Sequence, residues 1–201
     1  MRTVPVSALA LVALLLSGCS PESAPRTTPP PSTSPQPTAS AEPEPTELFT
    51  MPTTCHQILN DDTLRAFEAR GLVLLGGPEG LYGDDYLLEA SPEQEAGGIT
   101  CIWGDPDTEI STVTISVAPL STAERADVVS SLTVEQGLNE TRGETADYYW
   151  LLGDDEHAPA MLNVLTADSW ISVIQTIGGD ANYTEAENLA IEVHDRVYGL
   201  S

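Results

Sequence analysis

The chain has 201 residues, with 31 Asp and Glu against seven Arg and no Lys, giving a formal charge of −24. Charge of that sign and size repels phosphate backbones and anionic headgroups, so nucleic acid is excluded as a partner. Without lysine there is no Walker loop, no pyridoxal Schiff base and no S-x-x-K acyl enzyme, and H-E-x-x-H, G-x-S-x-G and G-x-G-x-x-G are also missing. No cofactor is expected.

The first segment, residues 1–18, reads as a lipoprotein signal peptide. Arg2 supplies the positive charge, and Ala8 to Leu16 form an apolar run of nine residues. That run is short of the roughly 20 residues a membrane span needs. It closes on Leu16-Ser17-Gly18-Cys19, a lipobox in which small residues precede the cysteine that takes the lipid. Cys19 is the expected acylation site, with diacylglyceryl and palmitate-type chains giving lasting attachment. The competing reading is an ordinary secretory leader that happens to contain a cysteine. Residues 19–47 then form a tether: from Ser20 to Glu47 nine of 28 residues are Pro and ten are Ser or Thr, which excludes helix and packed sheet. Fully extended, at about 3.1 Å per residue, such a stalk reaches on the order of 90 Å.

Residues 48–201 carry the apolar periodicity of one globular domain, and their balance is five Arg against 27 acids, or −22. Asn60 or Asp61 caps a first helix through Ala69, stopped by Gly71. Leu72 to Leu75 is a short strand. Gly76 to Gly98, rich in glycine and acids, reads as a long loop with a helical turn near Tyr86. Strands follow at Ile99–Trp103 and Ile110–Ala118; in the second, Val113, Ile115 and Val117 alternate with Thr112, Thr114 and Ser116, the pattern of a half-buried strand. Ser121-x-x-Glu124 is a capping box that opens a second helix to Leu132.

Three more strands come at Tyr148–Leu152, Ala160–Thr166 and Trp170–Ile177. The last two form a hairpin across Ala167-Asp168-Ser169. Thr184-x-x-Glu187 caps a final helix to Tyr198, with Ala186, Ala190, Val193 and Val197 inward. These elements define an α+β class: an antiparallel sheet with N-terminal, middle and C-terminal helices in a layered α/β sandwich.

With Cys19 lipidated, Cys55 and Cys101 remain, and in an oxidising compartment they pair; two buried free thiols are the alternative. Two cysteines without a C-x-x-C partner fall short of a zinc site, so no metal is expected. The lipobox, the stalk, Cys55 and the strand Cys101-Ile102-Trp103-Gly104-Asp105-Pro106 (C-x-W-G-x-P) resemble small actinobacterial cell-envelope lipoproteins of unknown function. In order of elements, such families are similar to α/β/α sandwiches of the photosystem-subunit-P type. The resemblance implies an anchored envelope domain with a disulfide and brings no catalytic residues. The Gly-rich acidic insert after Leu75 departs from it.

Several constellations carry chemistry. Asp154-Asp155-Glu156-His157 sets carboxylates beside an imidazole, a pattern for a divalent ion, for acid–base work or for a charged loop. Asp105-x-Asp107-x-Glu109 starts like a calcium loop but has Ile110 where glycine is needed and Ser116 where a bidentate Glu belongs. Trp103 shares a strand face with Cys101 and is expected to pack on the disulfide. Trp150, Trp170, Tyr148 and Tyr149 could form an aromatic platform for a sugar or lipid, or pack in the core. Asp84-Asp85, His56 and His194-Asp195 have no nucleophile beside them. The functional expectation is a membrane-anchored, extracytoplasmic, non-enzymatic module that binds an envelope protein or small ligand. The alternatives are an envelope hydrolase using a carboxylate pair, and a cation-dependent sensor or adhesion domain.

Overall fold

A computed structural model describes residues 48–200, so the expected leader, Cys19 and the tether lie outside the described residues. A 3-10 turn at Cys55–Gln57 leads into α1 (Asp61–Ala69), where Asn60 Oδ1 accepts from the Thr63 N–H at 2.9 Å as a helix cap should. The chain then forms β1 (Val73–Gly76), a 3-10 turn at Gly83–Tyr86 where a helical turn is expected, and α2 (Pro92–Glu95). β2 (Ile99–Asp105) and β3 (Ile110–Pro119) make a hairpin. α3 (Arg125–Ser130) runs into a π turn, Ser131–Glu135. Four strands and a helix complete the domain: β4 (Asn139–Arg142), β5 (Asp147–Leu151), β6 (Ala160–Leu165), β7 (Ser169–Gln175) and α4 (Asp180–Val197).

All seven strands lie in one antiparallel sheet, in the order β1-β2-β3-β7-β6-β5-β4. Two meanders, β1 to β3 and β4 to β7, are joined along β3 and β7, with Val117 opposite Ile171. The α+β class is therefore the architecture of the domain. Strand alternation divides the apolar residues between two cores. Under α1 and α4 lie Cys101, Trp103, Val113, Ile115, Val117, Ile171 and Val173, with Leu189, Ala190 and Val193 of α4 above them. Each fully buried Ile or Val there contributes about 2 kcal/mol. On the other face, Leu132 of the π turn packs with Ala118, Tyr149, Leu165 and Trp170. Arg125 fastens that layer, donating to the Leu165 and Thr166 carbonyls and, at 2.6 Å, to the Asp147 carboxylate.

Cys55 and Cys101 are bonded, their Cα atoms 5.6 Å apart, tying the start of the domain to β2. The nearest aromatic partner of Trp103 is Phe67 of α1, met edge-on at 5.5 Å between ring centres.

Four local readings need correction. α4 starts at Asp180, not at Thr184, because Gly178 and Gly179 are fixed by the Asp154 and Leu152 carbonyls and Gly179 turns the chain at φ +90°. The Ser121–Glu124 capping contacts form, but the helix proper begins at Arg125 and extends past Leu132. The Gly76–Gly98 loop contains α2, opened by a Ser91–Gln94 capping box with Pro92 at its first position. β4, Asn-Glu-Thr-Arg, has no apolar residue, and it pairs only with β5 at the sheet edge.

Candidate functional site

The loop that carries Asp154, Asp155, Glu156 and His157 joins β5 to β6, as its position predicts. Asp154 Oδ1 accepts from three backbone N–H groups, those of Glu156 at 2.9 Å, His157 at 2.5 Å and Ala158 at 3.3 Å. The His157 and Glu156 amides hold its carboxyl below the usual aspartate range. That oxygen is thus committed to shaping the loop. His157 Nδ1 lies 3.8 Å from Asp154 and 3.7 Å from Glu156, with its side chain in solvent. Among the described residues no group of three or more His, Cys, Asp or Glu side chains is placed to hold a metal ion.

The other acidic candidates are dispersed in the same way. Asp105 accepts from the Asp107 N–H at 2.8 Å, a local turn bond, while the Glu109 carboxylate accepts from the Tyr82 hydroxyl at 3.0 Å. Asp84 and Asp85 sit in the 3-10 turn before Leu87. His56 faces Glu79 at 3.1 Å, and His194 faces Asp195 at 3.4 Å.

A recess does form elsewhere. α4 packs on β7 and β6, and the same face of β5 continues past it uncovered. The result is an open groove of 790 Å³ between α4 and the β5–β6 surface. Its walls are Tyr148 and Trp150 from β5, Leu162 and Val164 from β6, and Tyr183 and Ile191 from α4. The Trp150 and Tyr183 rings meet at 5.8 Å, tilted by 57°, and Trp150 Nε1 donates to Thr141 Oγ1 at 3.1 Å. One indole face is therefore fixed by a hydrogen bond and an aromatic neighbour. Glu187, Asn188 and His194 line the same groove. Burial, and next the Glu187 carboxylate, raise the Tyr183 hydroxyl above its ordinary pKa, so it is a neutral donor at physiological pH.

Strand alternation splits the four aromatic residues that the sequence groups as a platform. Tyr148 and Trp150 face the groove. Tyr149 and Trp170 lie in the opposite core, where Trp170 Nε1 donates to Asn163 Oδ1 at 2.8 Å. Tyr183, the third aromatic wall, is absent from the sequence-based set because it comes from a helix. No family model, curated protein or solved structure matches the chain. Among the described residues no helix is long and apolar enough to cross a membrane.

Proposed function

We propose that this chain is an exported protein held at the extracytoplasmic face of a cell membrane by an acylated Cys19. In this reading residues 19–47 are the stalk, and the domain beyond it is a non-enzymatic module that binds a small amphipathic ligand. The lipobox and the C-x-W-G-x-P resemblance to actinobacterial envelope lipoproteins support the anchoring. The aromatic groove beside α4 carries the binding assignment. Its 790 Å³ falls within the range of about 300–1,000 Å³ common for small-molecule sites. Aromatic and aliphatic walls with a few polar groups suit a ligand with one apolar face and a polar edge. The excess of carboxylates favours an uncharged ligand over an anion.

The test is native mass spectrometry on the full chain extracted in detergent from the membranes of a secreting host. The expected result is an acylated chain carrying an additional small mass, which Trp150→Ala loses, while Cys19→Ser loses the lipid mass. A wild-type chain whose Cys19 carries no lipid mass ends the anchoring reading. A wild-type chain without extra mass ends the groove reading.

A further inference from the structure

The face of the sheet opposite the groove holds a second recess with different chemistry. Thr100 of β2, Ser116 of β3, Ser172 of β7 and Asn163 of β6 pair in succession and form one rung across four central strands. All four are 3% exposed or less. A rung buried that deeply is apolar when its task is packing, because each buried polar group must find a partner or cost stability. Here the rung floors a cavity of 320 Å³, walled by Tyr86, Leu87 and α2 on one side and by Leu132 and Gln136 of the π-turn segment on the other.

The hydrogen bonds along the rung leave one group over. Thr100 Oγ1 bonds Ser91 Oγ at 2.6 Å and Ser116 Oγ at 3.0 Å. The Asn163 amide is oriented by Trp170: an indole N–H only donates, so Asn163 must offer it Oδ1 and turn Nδ2 away. That Nδ2 carries two hydrogens, is buried, and has no partner among the described residues. An unmet buried donor costs stability, and a bound acceptor removes that cost. Ser172 of the rung meets Glu93 of α2, itself 7% exposed and lining the cavity. Burial outweighs the Ser91 and Ser172 hydroxyls beside it and raises its carboxyl above the ordinary range.

We infer that this cavity binds a small neutral ligand bearing several hydroxyl oxygens, of the size and chemistry of a monosaccharide. An oxygen of the ligand accepts from Asn163 Nδ2. The hydroxyls of Ser172, Ser116 and Thr100, each able to donate and accept, serve the ligand's own hydroxyls. Trp170, Met161 and Ile174, which also line the cavity, supply the apolar surface that one face of a sugar ring needs. A volume at the bottom of the usual range limits the ligand to about one ring. An anion would meet Glu93 and the acidic surface; a cation would find in Asn163 Nδ2 a group that only donates. The site lies on the opposite face from the Trp150 groove and stands or falls independently of it.

The experiment uses the full chain in detergent, with D-glucose, D-galactose, D-arabinose and N-acetyl-D-glucosamine at millimolar concentration, read by saturation-transfer NMR and calorimetry. At least one of the four is expected to bind. Asn163→Ala and Ser172→Ala should each weaken that sugar by about ten-fold, the worth of one buried hydrogen bond, while Trp150→Ala leaves its affinity unchanged. Should Asn163→Ala unfold through the loss of its bond to Trp170, Ser172→Ala decides. Absence of saturation transfer from all four sugars overturns the inference, as does binding that Trp150→Ala weakens and Ser172→Ala does not.

Discussion

On the face of the sheet under α1 and α4 the central strands present Cys101, Val113, Ile115, Val117, Ile171 and Val173, whereas the opposite face carries Thr100, Ser116, Ser172 and Asn163. On β2, β3 and β7 the two sets alternate residue by residue, with Asn163 adding β6 to the polar one, yet both are out of solvent. The difference lies in what covers them. One face lies under the 18-residue α4, whose Ala186, Leu189, Ala190, Val193 and Val197 are buried, and the nine-residue α1, which adds Phe67. The other is roofed by the four-residue α2, the six-residue α3 and a π turn, which leave a cavity between them. Long helices close the strands directly beneath them by packing; short ones enclose space that polar side chains can line.

The strongest way to break this contrast is to remove the bridge on the apolar side. Replacing Cys55 and Cys101 by Ala opens a link between residues 46 apart and should cost about 4 kcal/mol in denaturant unfolding. A loss under 1 kcal/mol would mean that the unfolded chain is already constrained there. Two neighbours on β3 then compare the faces directly. Ile115→Ala should cost about 3 kcal/mol. Ser116→Ala, which takes one hydroxyl from the polar rung while Thr100 keeps Ser91, should cost about 1 kcal/mol or less. Equal losses at the two positions would show that the rung is packed as tightly as the core.

The smallest effect comes from Glu93. Its folded value lies above the ordinary 4.5, so the folded chain keeps a proton that the unfolded chain releases. Stability therefore falls as pH rises from the ordinary carboxyl range through the raised value, and is unaffected where both states are protonated. Glu93→Gln should melt higher than wild type at neutral pH and lose that advantage in melts below the ordinary carboxyl value. An advantage that grows on acidification would reverse the sign.

Elements with strong local periodicity were legible in the sequence. Val113, Ile115 and Val117 mark β3, the β6–β7 hairpin turns at Asp168, and Ala186, Ala190, Val193 and Val197 trace the buried stripe of α4. β4 was not, because its four residues are all exposed and its only support is pairing with β5. The start of α4 depends on Gly179 being held by a distant carbonyl, a contact no local pattern records. Period-two reading assigns Ser116 to solvent, since a sequence cannot say whether a strand's second face is roofed. For the candidate sites the limit is similar. Asp154 to His157 stand out because carboxylates sit beside an imidazole, while the groove needs Tyr183 of α4 to meet Trp150 of β5.

The seam between β3 and β7 carries the largest loop-closure cost in the sheet. β1 to β3 and β4 to β7 each close through neighbouring strands, whereas the seam joins residues as far apart in the chain as Val113 and Gln175. Local pairings lose less chain entropy than distant ones, so each meander can close at a smaller entropic cost than the seam. Cys55 and Cys101 both fall on the N-terminal side of that seam. Their oxidation can therefore precede docking of the two halves, and a chain emerging N-terminus first can lock its first half before the second is available to meet it.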